Sequence, residues 1–253
     1  MNAQQQSNLL KNRTLLVTGA SDGIGREAAL TYARQGARVL LAGRNRQKLN
    51  QVRDDIAAAG LTPAAVLVLD FATASAEDCR QFAAEVATLT PQLDGVLHNA
   101  SILGTLQPMA EIPPAEWSQV MKVNLDTTFF LTQALLPLLL TSPAPSLVFT
   151  TSSVGREGRA GWGTYAVSKF ATEGMMQILA AEYKDTALRV NCINPGGTRT
   201  SMRASAFPEE NAARLKTPAE IMPIYLYLMS DESLGKTGHS FDAQPGRKAG
   251  PAE

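Results

Sequence analysis

A single α/β domain, built on a doubly wound parallel sheet of about seven strands with helices on both faces, is predicted by three observations. Short apolar runs alternate with longer helical patterns along the whole chain. Those runs are continuously hydrophobic, as suits parallel strands buried on both faces. The length, 253 residues with 45% hydrophobic and 18% charged content, is one that an α/β domain reaches while burying a full core.

The first strand is Thr14 to Thr18 (TLLVT), and helical spacing follows a glycine-rich turn over Ile24 to Gln35. Ala37 to Ala42 (ARVLLA) is the second strand and Arg46 to Ala59 the second helix. Ala65 to Leu69 (AVLVL) precedes a helix over Ser75 to Leu89, and Leu93 to His98 (LDGVLH) precedes the long helical pattern Ala115 to Leu140. Ser146 to Thr150 (SLVFT) leads into a helix over Thr164 to Asp185, followed by strands Leu188 to Ile193 (LRVNCI) and Gly238 to Asp242 (GHSFD). Repeated strand–helix–strand order implies right-handed crossovers. Two segments break the alternation: the Gly- and Arg-rich loop Gly155 to Gly163, and the polar connection Gly196 to Pro218. A connection that long marks a functional or mobile segment, so a lid is expected near residues 198–217. Without a repeat or a linker, residues 1–253 read as one domain. The tail Gln244-Pro245-Gly246-Arg247-Lys248 has no periodicity and is expected on the surface or against a neighbouring subunit.

Balanced charge, 23 basic against 23 acidic residues, argues against a nucleic-acid or anionic-membrane partner. The cluster Arg44, Arg46, Lys48 and Arg53 reads, on spacing alone, as a solvated helix face. Cys79 and Cys192 are too few for a disulfide framework, and no Cys/His group has zinc-site spacing, so no metal is expected. Reduced thiols point to a cytoplasmic setting. No secretion signal is visible, and the run Phe129 to Leu140 is too short for a bilayer, which needs about 20 residues.

Directly after the first strand comes Thr18-Gly19-Ala20-Ser21-Asp22-Gly23-Ile24-Gly25, then a helix. Glycines here permit a tight turn, close backbone approach to a pyrophosphate and close helix–strand packing, and the helix N-terminus offers free N–H groups to phosphates. Gly19, Ser21, Asp22, Gly23, Ile24 and Gly25 are therefore candidate dinucleotide-binding residues in a Rossmann-like fold. An acidic residue about 20 positions on would hold the ribose 2′-hydroxyl of NAD. The second strand instead ends Leu41-Ala42-Gly43-Arg44, and Arg44 is placed to bind a 2′-phosphate, so NADP(H) is the expected cofactor. Asp22 would repel such a phosphate unless it caps the helix and points away.

Tyr165 and Lys169 stand four apart at the start of a predicted helix, which puts both on one face. A nearby ammonium favours the ionised phenol and moves it toward the working range of an acid–base catalyst. Such a pair alone is also what an ordinary amphipathic helix with a surface lysine shows. Together with the glycine turn, Asp70, Asn99-Ala100, Asn124, Ser152 thirteen residues before Tyr165, and Asn194-Pro195-Gly196, the pair resembles the short-chain dehydrogenase/reductases. The resemblance runs from about Leu10 to Phe241. The segments SDGIGREAA, SKFATEGMMQ, RVNCINPGGTRT and FDAQPGRK are similar to a gammaproteobacterial branch of oxidoreductases within that family.

The resemblance implies a catalytic set of Asn124, Ser152, Tyr165 and Lys169. Tyr165 would exchange a proton with the carbonyl or alcohol oxygen, and Ser152 would stabilise developing charge on that oxygen. Lys169 would hold the nicotinamide ribose and lower the tyrosine pKa, so both residues also count as cofactor contacts. Asn124 would break a helix locally and hold a water linking Lys169 to solvent. Asp70 would contact the adenine with Phe71 beside it, and Asn99, Ala100 and Ser101 would lie along the cofactor. Pro195, Gly196, Thr198 and Thr200 match the segment that positions the nicotinamide carboxamide, with Arg199 and Met202 near the lid. The family's Asn-Asn-Ala-Gly reads His98-Asn99-Ala100-Ser101 here, and Ser101 adds a side chain where backbone should run close to the cofactor. His98 and His239 read as structural residues, and Ser153 receives no role.

The expected activity is hydride transfer between NADP(H) and a small carbonyl or alcohol substrate. The alternatives are a reductase of 3-oxoacyl carrier esters and a non-catalytic NADP(H)-binding redox sensor. Arg156, Arg159 and Trp162 would suit an anionic or planar carbonyl compound, unless the arginines are solvated loop charges; Arg203 and Arg214 could meet a carboxylate or phosphopantetheine. Apolar helices around Phe129 to Leu140 and Phe170 to Leu179 match, by resemblance, the surfaces that build a homodimer or homotetramer.

Overall fold

A computed structural model of the chain describes residues 8–247 and 250. Among the described residues, seven strands form one sheet in the order β3-β2-β1-β4-β5-β6-β7, with every neighbouring pair parallel. The strands are β1 (Thr14–Thr18), β2 (Arg38–Gly43), β3 (Ala65–Val68), β4 (Gly95–His98), β5 (Ser146–Thr150), β6 (Arg189–Asn194) and β7 (Ser240–Asp242). The chain starts in the middle of the sheet, winds to one edge, returns beside β1 and winds to the other. The order reverses between β1 and β4, which opens the crevice where ligands of such sheets bind.

Alternate residues of β1 show why the strands read as uninterrupted apolar runs. Leu16 enters one core with Val96, Leu147, Phe149, Leu135 and Met176, whereas Leu15 and Val17 enter the other with Leu97, Val148, Ala29 and Tyr32. The helices α1 (Gly23–Arg34), α2 (Arg46–Ala58) and, late in the chain, α8 (Met222–Met229) supply the second core. The first belongs to α3 (Ala76–Leu89), α5 (Thr127–Leu139) and α6 (Gly163–Glu182). Cys79 on α3 and Cys192 on β6 are free thiols, both buried. No helix among the described residues is long and apolar enough to cross a membrane.

Three elements depart from the sequence reading. The fourth strand starts at Gly95, because the Asp94 carboxylate is turned inward to accept from the Thr14 N–H (2.8 Å) and the Ser142 hydroxyl (2.7 Å). The pattern Ala115 to Leu140 is not one helix: α4 (Pro114–Met121) passes through a π turn at Lys122–Asp126 before α5 begins. The connection Gly196 to Pro218 is not structureless, since Thr200 caps a six-residue helix, α7 (Ser201–Ala206), by accepting from the Arg203 N–H at 3.2 Å. Thr198 then bridges to Lys216, closing the excursion at its base.

The foot of the sheet is held by Arg189, whose buried guanidinium donates to the carbonyls of Leu228 (3.3 Å), Ser230 (3.0 Å) and Ala144 (3.2 Å) and to the Ser233 hydroxyl. Arg189→Met is expected to destabilise the fold by about 3 kcal/mol, because several hydrogen bonds from a buried charged donor are lost, although Ser146, Ser233 and Arg13 still donate to the carbonyls. Urea denaturation checks this, and a loss below about 1 kcal/mol would refute the hub role.

Candidate active site

The carboxyl ends of the strands and the loops beyond them line one cavity of about 960 Å³. The glycine turn forms one wall. Gly19 has φ +66°, and a Cβ there would stand 3.0 Å from the Ala100 Cα; a Cβ on Gly25 would stand 2.3 Å from the Gly19 carbonyl oxygen. Gly19, Ser21, Asp22, Gly23 and Ile24 face the cavity, whereas Gly25 lies beneath the turn and allows helix and strand to close up. Asp22 caps the helix, its carboxylate accepting from the Gly23 N–H at 2.7 Å, but it lines the cavity and does not point away, and its other oxygen lies 3.8 Å from the Lys48 ammonium.

The basic cluster after β2 divides. Arg44 and Lys48 line the cavity beside Asn45, which caps α2, while Arg46 and Arg53 do not, and Arg53 pairs with Asp54. Among the described residues no acidic side chain pairs with Arg44. Across the cleft, Asp70 accepts from the Ala72 N–H (3.0 Å) and lines the cavity with Phe71, whose carbonyl accepts from the Thr127 hydroxyl. The Asn99 and Ala100 N–H groups both donate to the Thr18 hydroxyl (3.0 and 3.1 Å), which binds the end of β4 to that of β1. Ser101 fits at the cavity edge, half-buried.

Tyr165 and Lys169 share one face of α6, with the ammonium 5.4 Å from the phenol ring centroid. The Ser152 hydroxyl faces the phenol across the same cavity and favours its ionised form. Lys169 donates to the Thr150 carbonyl at 2.8 Å, behind the cavity wall. Burial pushes the Lys169 ammonium down to about 8. Burial also pushes the Tyr165 phenol up to about 12, against the smaller opposing effect of Ser152. Desolvation outweighs any lowering of the phenol here, with the Lys169 ammonium over the ring face and bonded to a carbonyl. Asn124 occupies the π turn and breaks the helix, as expected; its side chain donates to the Ile102 carbonyl (2.9 Å) and Ser168 hydroxyl (3.0 Å) and accepts from the Ile102 N–H (2.8 Å).

Beyond β6, Pro195, Gly196, Thr198 and Thr200 line the cavity, with the Gly196 N–H donating to the Asn194 side chain at 3.1 Å. Arg199 turns away to hold the carbonyls of Ala212 and Leu215, whereas Met202 faces the cavity. Trp162 lies between Tyr165 and Phe207, with ring centroids 6.0 and 5.9 Å away. Two of the arginines considered for substrate line the cavity but are paired, Arg156 with Asp242 and Arg203 with Glu210 (2.6 and 2.7 Å), and Arg214 is exposed outside the cavity. Arg159 lines the cavity. His98 is structural, its Nε2 3.0 Å from the Thr132 hydroxyl and its ring stacked on Phe149, with burial pushing its pKa down to about 3. His239 packs edge-on against Phe241.

The tail was placed on the surface or a neighbouring subunit by its composition, but Gln244, Gly246 and Arg247 form part of the cavity wall; Lys248 lies outside the described residues. Lys48, Gly197, Gln244 and Arg247 are the site residues that sequence reasoning missed. Only Lys48 left a signal, as a member of the basic cluster that follows the second strand.

With this geometry in place, the comparisons with known proteins become specific. The family model for short chain dehydrogenase matches residues 13–211. The uncharacterized oxidoreductase YciK of Escherichia coli K12 is 62% identical over 250 residues, covering 99% of each chain. A short chain dehydrogenase from Shigella flexneri, complexed with NADP, is 62% identical with a TM-score of 0.93, over 94% of this chain and 100% of its own. Another from Escherichia coli CFT073, complexed with NADPH, is 63% identical with a TM-score of 0.93, over 94% of this chain and 99% of its own.

Proposed function

This chain belongs to the short chain dehydrogenase family, and from that premise we propose that it is an NADP(H)-dependent oxidoreductase acting on a carbonyl or alcohol substrate, with Tyr165 as the proton-exchanging residue. The observation that carries the reading is the convergence of the Tyr165 phenol and the Ser152 hydroxyl at one end of a cleft, with the Lys169 ammonium directly behind the wall, while the other end carries Arg44 and the bare glycine turn. The donor set fits the cofactor: Gly19 and Gly25 leave no room for a Cβ, and Arg44 and Lys48 offer two cations where a 2′-phosphate would lie. The relatives complexed with NADP and NADPH support the same choice.

When bound, NADP(H) supplies the hydride chemistry. The turn from Gly19 to Ile24 would hold its phosphates, the Ala20 and Gly23 N–H groups being already bonded to Ala42 and Asp22, and Asp70 and Asn99 to Ser101 would line its path. Tyr165 keeps its proton at neutral pH and delivers it to the substrate oxygen during reduction, while Ser152 donates to that same oxygen. Lys169 would approach the ribose side of the site from behind the cavity wall, where it holds the Thr150 carbonyl, and Asn124 keeps the π turn in place. Trp162, Phe207 and Met202 exclude water from the substrate end and favour an apolar or planar body.

NADPH consumption across aldehydes, ketones, quinones and 3-oxo thioesters tests the reading. Turnover of simple carbonyls supports it, and turnover confined to 3-oxo thioesters would favour a carrier-ester reductase. Tight NADPH binding with no turnover would favour a sensor.

The exposed aromatic and aliphatic side chains Phe129, Phe170 and Ile178 on α5 and α6 support a homodimer, or a tetramer of such dimers. Light scattering is expected to give a dimer or tetramer, with Phe170→Glu shifting the population to monomer. A wild-type monomer at micromolar concentration would refute the assembly.

A further inference from the structure

We propose that Gln244 is a positioning residue for the loop Pro195–Thr198, holding it in shape for the cofactor's nicotinamide end; this rests on the NADP(H) reading above. The loop leaves β6 without a ladder partner for its carbonyls. The Gln244 side-chain amide takes up that task, donating to the carbonyls of Pro195 (2.9 Å) and Gly197 (3.0 Å) and standing 3.4 Å from the Thr198 hydroxyl. Two carbonyls on either side of Gly196 are thus pinned by one nitrogen, which sets the turn at the residue whose φ is +67°.

The glycines are complementary to the tail. A Cβ on Gly197 would stand 2.3 Å from an Arg247 guanidinium nitrogen, and one on Gly196 would stand 3.1 Å from the Gln244 amide nitrogen. The bare face of the loop is therefore the face on which Gln244 and Arg247 lie. The tail is itself held in register: the Ala243 N–H donates to the Asn194 carbonyl (2.9 Å), and Asp242 accepts from the Asn194 side chain (2.8 Å). Arg247 lies 3.9 Å from the Glu210 carboxylate, which is 2% exposed and gripped by Arg203 of α7. A glycine pair has more conformational freedom to lose than any other dipeptide. Holding it in one shape before binding removes that ordering cost from cofactor affinity.

The test compares NADPH with 2′,5′-ADP, which carries the adenosine and the 2′-phosphate but no nicotinamide, by calorimetric titration of wild type, Gln244→Ala and Gln244→Glu. Gln244→Glu keeps the length of the side chain but replaces the donor with an acceptor facing two carbonyls. Both variants are expected to bind NADPH about tenfold more weakly, from loss of the two bonds, while 2′,5′-ADP affinity stays within about twofold. Equal losses for the two ligands, or none for either, in a variant that keeps the wild-type melting temperature would overturn the positioning role alone. A wild-type protein that binds neither ligand would overturn the NADP(H) reading and this role with it. Should Gln244→Ala fold poorly, Gln244→Glu carries the comparison.

Discussion

Tyr165→Phe is expected to lower kcat/KM for carbonyl reduction by about 10³-fold while NADPH affinity changes by less than about threefold, because the change deletes one proton donor and leaves the ring in place. The ring is packed among Val154, Ala166, Leu103, Trp162 and Met202, so Phe keeps the apolar contacts. Burial holds the Tyr165 phenol at about 12 and the Lys169 ammonium at about 8. Tyr165 therefore stays protonated throughout the neutral range and enters the reaction as an acid, so reduction needs no prior protonation step. Reduction is expected to decline as pH rises through about 8, where Lys169 loses its charge, and Lys169→Arg should move that decline upward if a permanent cation serves there. The two shifts act oppositely on stability. Between about 8 and the ordinary lysine value of 10.5 the unfolded chain binds more protons at Lys169, so this contribution to stability rises with pH. At Tyr165 the folded chain binds more protons from the ordinary 10.0 up to about 12, so its contribution is lost across that interval. A Tyr165→Phe enzyme that retains more than about a tenth of wild-type kcat/KM would remove the phenol from the mechanism.

Arg44→Ala is expected to raise the Kd for NADPH about 30-fold and leave NADH within about threefold, since a charge-assisted bond to a phosphate contributes roughly 2 kcal/mol. The effect is specific because no acidic residue among those described competes for the Arg44 guanidinium, whereas Lys48 is drawn toward Asp22. Arg44→Asp should go further, placing a carboxylate where an NAD-binding site would hold the ribose hydroxyl, and reverse the preference. Titration of both nucleotides into the two variants decides it. Equal losses for NADPH and NADH would mean that Arg44 supports the turn and does not read the 2′-phosphate.

The parts of this molecule that were legible in sequence are those where one short segment carries its own physics. The five inner apolar runs became strands because each is buried on both faces, the edge strands β3 and β7 are only partly covered, and the glycine turn lies where a strand must pass directly into a helix. Tyr165 and Lys169 share a face because four residues make one helical turn. The π turn at Asn124 was anticipated only through family resemblance: the apolar spacing of Ala115 to Leu140 is uninterrupted, and the bonds that hold the break come from Ile102 and Ser168, which are distant in sequence. The phenol's raised pKa was hidden for the same reason, since it follows from burial supplied by other elements. Arg203 and Arg156 read as cations free to meet a substrate because their partners, Glu210 and Asp242, are recognisable only once the chain has folded. Gln244 and Arg247 carry no periodicity and enter the sequence reading only within a segment similar to a family branch, and their place comes from lying across a loop some fifty residues earlier in the chain.

Both cysteines are sealed inside the sheet-and-helix layers, and desolvation raises each thiol, Cys79 to about 11 and Cys192 further still. A thiol that remains protonated and unreachable reacts with neither alkylating agents nor peroxide. The native protein therefore presents a chemically silent background: a single cysteine introduced on α7 or in the tail takes a spectroscopic label by itself, and separations across the cleft become measurable without first stripping the wild-type thiols from the core.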